Sequence, residues 1–183
     1  RCLIDGFGVI LAGATAHDDP NRSRANGRSD FTKASLYAAR LQSIAARWSL
    51  LTAVTGQYAW ADLLAPELFG VGGEAFGRGY DPAEILGDYG AAAKIELRYT
   101  DATSLRWLPR YTIYAFYDAG FVRRRTPTNE PVQASLASTG LGFRFGADRR
   151  ISGFVELAQP LTRTVLTKGD RDLRIYAGLA WHL

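Results

Sequence analysis

An all-β, antiparallel, up-and-down transmembrane β-barrel section of about eight strands is the fold this sequence predicts, and three observations predict it. Apolar residues recur with period two along most of the chain. Strand- and turn-favouring residues are abundant, with 9 Tyr, 9 Phe, 4 Trp and 19 Gly in 183 residues. An apolar strand face also runs up to the last residue. The 47% apolar fraction is ordinary for a globular chain, so composition alone does not announce a membrane. No run reaches the roughly 18 to 20 apolar residues of a spanning helix, so any crossing must use strands.

Tyr111 to Phe121 alternates most cleanly. Tyr111, Ile113, Ala115, Tyr117, Ala119 and Phe121 form a face without charge, with an aromatic at each end, as expected where a barrel wall meets the two membrane interfaces. Thr112, Tyr114, Phe116, Asp118 and Gly120 form the other face. Ala93 to Tyr99 sets Lys94, Glu96 and Arg98 against Ala93, Ile95, Leu97 and Tyr99. A charged face opposite an apolar one suits a wet lumen behind a lipid-facing wall, or the solvated side of a soluble sandwich.

The terminal strand separates these options. Leu173, Ile175, Ala177, Leu179, Trp181 and Leu183 occupy alternate positions, whereas soluble domains usually end in a frayed polar tail. Leu179, Trp181 and Leu183 therefore form the expected signal of a closing barrel strand. Further strands are expected at 135–146, with Leu141, Phe143 and Phe145 outward and Arg144 inward, and at 151–161, with Val155 and Leu157 outward and Glu156 inward. A strand from Trp48 to Trp60 presents Leu50, Val54, Tyr58 and Trp60. Stretches 3–13 and 31–43 alternate poorly, which leaves their facing open. Links at 14–30, 62–88, 122–132 and 162–171 are long, those at 44–47 and 147–150 short, and Thr100 to Pro109 is longer than a periplasmic turn should be.

The net charge of +4 is spread along the chain, and only Arg123-Arg124-Arg125 forms a run, which reads as a solvated loop and not a nucleic-acid patch. Cys2 is the single cysteine, so no internal disulfide is possible. His17 and His182 are the two histidines, one in an expected loop and one on the last strand, and no paired carboxylates or Ser/His/Asp set is evident. No enzyme, cofactor or metal site is expected. The absence of methionine leads to the expectation of a fragment of a longer chain.

The longest conspicuous link contains Phe69-Gly70-Val71-Gly72-Gly73-Glu74 and then Phe76-Gly77-Arg78-Gly79-Tyr80-Asp81-Pro82. Glycines here permit tight turns and close backbone approach. A phosphate-cradling loop is the alternative, but no Gly-Lys-Ser/Thr follows and the flanks do not feed a strand into a helix.

With Gln57, Leu68, Gly87-Asp88-Tyr89-Gly90, Glu96-Leu97-Arg98-Tyr99 and Phe116-Tyr117-Asp118-Ala119-Gly120, this run resembles the outer-membrane transporters of two-partner secretion (TpsB), also called haemolysin secretion/activation proteins. The resemblance covers essentially the whole chain. It implies a sixteen-stranded barrel of which residues 1–183 form the C-terminal half, with the periplasmic POTRA domains and the first barrel half absent. It also implies that Gly77, Arg78, Gly79 and Tyr80 sit at the tip of an external loop folded into the lumen, where Arg78 pairs with Asp118 of the Asp-x-Gly strand ending in Gly120. Asp118 lies on the lumen side by the alternation given above.

Such a latch predicts that exchanging the charges of Arg78 and Asp118 partly restores function. The alternative makes both ordinary solvated charges. Lys94, Glu96, Arg98, Arg144 and Glu156 are candidates to line the lumen, or merely to solvate its wall. The implied partners are a secreted TpsA-like exoprotein of haemolysin or adhesin type, outer-membrane lipid, and the barrel assembly machinery acting through the C-terminal strand, with no nucleic acid and no cofactor. Rival readings are a BamA-type insertase, which shares the Arg-Gly-Tyr loop, and a soluble β-sandwich binding module.

Overall fold

The computed structural model describes residues 2–5, 22–105, 108–127, 131–147 and 151–181. Its main sheet contains β1 (Cys2–Asp5), β2 (Lys33–Ser43), β3 (Trp48–Ala59), β6 (Tyr89–Ala102), β7 (Arg110–Arg123), β8 (Gln133–Ala147), β9 (Ile151–Pro160) and β10 (Arg174–Trp181). The order is β1-β2-β3-β6-β7-β8-β9-β10, so each strand of this sheet pairs antiparallel with the next one in sequence, as up-and-down topology requires. The sheet is open, with β1 and β10 at its edges. Among the described residues the only helical element is a 3-10 turn, Ala65–Glu67.

The link between β3 and β6 is not plain loop. It carries a short hairpin of β4 (Phe69–Val71) and β5 (Ile85–Gly87), which was not expected because three-residue strands are too short to show a period. Two expected strand ends shift. β9 stops at Pro160, so Leu161 lies in the following link, and β10 starts at Arg174, so Leu173 precedes it. Gln159 reaches the Arg171 carbonyl through its side-chain amide, which holds the two chains together beyond the point where ladder pairing ends. Leu183, His182 and His17 lie outside the described residues, as does most of stretch 3–13.

One face of the sheet is apolar and exposed. Leu36, Val54, Ile95, Leu97, Ile113, Tyr117, Leu141, Val155, Ile175, Leu179 and Trp181 all stand on it without cover. A contiguous exposed apolar surface of this extent belongs against another apolar phase. Aromatics mark its upper and lower limits ten residues apart on three neighbouring strands: Trp48 and Tyr58 on β3, Tyr89 and Tyr99 on β6, Tyr111 and Phe121 on β7. They meet across strands, Trp48 with Tyr99 at 5.1 Å and Tyr58 with Tyr89 at 5.4 Å between ring centres. Ten residues at about 3.3 Å each, tilted by about 40°, span about 25 Å, the height of an outer-membrane apolar band.

The other face is covered by the chain's own links. Val71, Phe76, Tyr80 and Ile85 of the β3–β6 link and Val165 of the β9–β10 link pack with Ala53, Ala92, Val122 and Leu136 into the principal core, so the core lies between in-folded links and one sheet and not between two sheets. A β-sandwich is thereby excluded. The cover also explains the poor alternation of β2. Register sets Tyr37 opposite Thr55 on the inner face, where it meets Phe76 edge-on at 6.4 Å, and partly buried Ala39 packs on the same cluster. Both faces of β2 thus contain apolar residues for different reasons.

Candidate functional site

The loop between β4 and β5 packs against the inner face of the main sheet. Gly77 has φ +100°, a left-handed conformation that glycine adopts without strain and that turns the following residues toward β7. Gly79 lies so close to the wall that a Cβ would fall 2.8 Å from Ser138 Cβ and 2.9 Å from Pro160 N. Gly120 plays the matching part in the wall, since a Cβ there would fall 2.7 Å from Val71 Cγ1.

This approach delivers Arg78 to the inner face, where it is 4% exposed. Its Nε and Nη2 donate to the two oxygens of Asp118 at 2.9 and 2.8 Å, the fork-to-carboxylate geometry that guanidinium favours. Asp118, fully buried, also accepts the backbone N–H groups of Gly77 and Arg78 at 3.2 and 3.0 Å. The carboxylate therefore holds the loop by its main chain as well as by its charge.

Asp118 is only one of three carboxylates on Arg78. Nη1 donates to Glu96 at 2.8 Å and to Glu156 at 3.3 Å. Glu96 further accepts from Arg98 Nε and Arg144 Nη1 at 2.6 and 2.7 Å, and Glu156 accepts the Tyr114 hydroxyl at 2.8 Å. The guanidinium carbon stands 3.5 Å over the Phe116 ring centre, and Arg144 stands 3.8 Å over Tyr114. Burial alone would lower the pKa of Arg78, but the Asp118 carboxylate, helped by Glu96 and Glu156, raises it, so the group is always a cation.

The structure places Arg78 on Asp118, the pairing the family resemblance implies, and adds a platform beneath it. Glu96 and Glu156 are buried partners of Arg78, unlike the solvated wall charges that were the alternative. The readable signal was the pair Gly140 and Gly142. They lie directly opposite Phe116 and Tyr114, and both aromatic side chains occupy the space a Cβ would fill. Lys94, Arg98 and Arg144 also face inward but remain partly open, and Tyr80 anchors the tip by donating to the Ala137 carbonyl at 3.1 Å and accepting from the N–H groups of Thr162 and Arg163. Leu179 and Trp181, by contrast, stand on the outer face far from this cluster.

A second buried carboxylate ties the loop roots. Asp88 accepts from Arg24 Nη1 at 2.7 Å, from Leu63 N at 2.8 Å and from Arg125 N at 3.0 Å. Burial opposes its ionisation, yet Arg24 and the two backbone donors hold its carboxyl below the usual range. Asp81, near the tip, is likewise lowered by Thr167 and Arg174.

A single antiparallel wall with an apolar, aromatic-girdled outer face and a charged inner face covered by an in-folded loop defines a class, a section of an outer-membrane β-barrel. Comparison with known proteins then gives the family. The model described as haemolysin secretion/activation protein ShlB/FhaC/HecB matches residues 6–145, and the chain belongs to that family. Among solved structures, CdiB from Escherichia coli matches with a TM-score of 0.68 and 22% identity, a likeness in fold. The match covers 91% of this chain and 30% of that one, so the chain spans less than a third of its structural relative. No curated protein sequence matches it.

Proposed function

We propose that the intact protein is an outer-membrane pore of two-partner secretion that passes a TpsA-like exoprotein from periplasm to cell surface. Residues 72–84 serve as its internal plug, and the wall described here is the C-terminal half of the barrel. Lipid covers the apolar exterior, and the assembly machinery reads the closing strand that bears Leu179 and Trp181. The observation that carries this reading is the burial of a loop arginine among three wall carboxylates. Removing one partner of such a pair strands charge in a low-dielectric site, a loss of about 3 to 5 kcal/mol, so an otherwise mobile loop has a defined resting place.

The test is Arg78→Ala in the full-length protein. Secretion of the partner should fall sharply while the barrel still inserts and folds in the outer membrane. Secretion at the wild-type rate would overturn the proposal. Exchange of the Arg78 and Asp118 charges is not a fair test of pairing, because an acid at position 78 would face Glu96 and Glu156 as well. Arg78→Lys is better, since it keeps the charge but loses the fork, and it should retain part of the activity.

A further inference from the structure

Lys94 has no evident task while the loop is in place. It stands on the inner face of β6 directly opposite Asp118 of β7, the nearest cross-strand position a cation can occupy. Yet its ammonium points to the loop, 5.2 Å from the centre of the Phe76 ring, and among the described residues it forms no ion pair. Asp118 is fully engaged by Arg78 and by the N–H groups of Gly77 and Arg78.

Withdrawal of the loop removes Phe76 and Arg78 together. It leaves one buried carboxylate and one lysine, facing each other on adjacent strands, both without their former partners. We infer that Lys94 is the reserve counter-ion of Asp118, which takes over the carboxylate when the plug leaves and so lowers the free energy of the open pore. The inference rests on the plug reading above and adds to it a residue that acts on the open state alone. Glu96 needs no such substitute, because Arg98 and Arg144 remain on it after Arg78 has gone. Among the described residues Asp118 is the clasp carboxylate with an uncommitted cation directly across from it, and a long flexible ammonium can swing between a ring and a carboxylate without backbone movement.

Two measurements on the full-length protein test this. In a background with Ser138→Cys and every other cysteine, Cys2 included, replaced by serine, the thiol lies beneath Gly79 and reacts with an aqueous maleimide only when the loop lifts. Arg78→Ala should increase that labelling, and a constant rate would count against the plug reading itself. A carbodiimide, which joins an amine to a carboxylate only in contact, should then yield a Lys94–Asp118 link by mass spectrometry. The yield should be several-fold higher in Arg78→Ala than in the parent. Labelling without the link would overturn the hand-over alone, and so would an equal link in the latched parent.

The second measurement reads a sign. Were Lys94 only a lid on Phe76, Lys94→Gln would loosen the plug and raise the Ser138→Cys labelling of the resting protein. The hand-over instead predicts slower secretion, with Ser138→Cys labelling of the resting protein unchanged, and recovery in Lys94→Arg. An unchanged or faster rate in Lys94→Gln would sink it.

Discussion

Asp118 and Asp88 are both fully buried carboxylates, each accepting an arginine and two backbone N–H groups, yet they hold different things. Asp118 belongs to a strand and holds a loop tip. Asp88 belongs to a loop root and holds other loops, joining residues near Arg24, Leu63 and Arg125. Around Asp118 the wall supplies further cations that remain when Arg78 leaves, Lys94 opposite it and Arg98 and Arg144 on Glu96. Around Asp88 the donors are themselves tied to other loop segments, Arg24 Nη1 on the Leu63 carbonyl and Arg125 on the Ala59 carbonyl. The first has the makings of a catch that opens, the second of a fixed rivet.

The largest effect that separates the two is expected from Asp118→Ala. It removes the fork and the acceptor of two main-chain N–H groups at once, a loss of about 3 to 5 kcal/mol. Proteolysis of segment 72–84 should accelerate while the 22–30 segment keeps its protection. Asp88→Asn should do the reverse at about 1 to 3 kcal/mol, with hydrogen exchange rising near 22–30 and 124–126 and unchanged near Arg78. If both variants loosened the same segments, the catch and the rivet would be one unit. Gly79→Val should mimic loss of the catch without touching a charge, because the added carbons meet Ser138 and the Pro160 backbone, and maleimide access beneath the tip reports it.

Acid should affect the rivet in a defined direction. A folded pKa held below the unfolded value contributes stability that is complete above the unfolded pKa, about 4 for aspartate, and is lost as pH falls through the folded one. The lowered Asp88 therefore predicts that protection of the loop roots is constant at neutral pH and declines only below about pH 4. The smallest effect is expected from Glu156→Gln. Its contact to Arg78 is the longest at 3.3 Å, and the amide can still accept from Tyr114, so a change of about 1 kcal/mol or less should appear in loop release.

The barrel wall was legible because period two carries its own facing. Asp118 and Glu96 could be set on the inner side from neighbours on the same strand. Family motifs carried Arg78 across the forty residues that separate it from Asp118, which no local pattern could do. The loop hairpin of β4 and β5 escaped because it is too short to repeat, and β2 was ambiguous because the loop supplies its inner face with an apolar partner. Glu156 and Arg24 were not foreseen as partners for a simpler reason. Their contacts depend on how far the loops reach, and spacing along the sequence does not encode reach.

The ten-residue interval between aromatics on β7 is also a depth gauge. Asp118 lies three residues from Phe121 and seven from Tyr111, so on a tilted strand the catch sits about 8 Å below one rim of a band about 25 Å high. Phe121 borders the end that bears the long links, the outward end in the proposed orientation. The stopper is therefore near the mouth. On the proposed reading, an unfolded chain arriving from the other side would pass most of this wall before reaching the loop, so engagement of cargo and unplugging are separable events, the first able to precede the second.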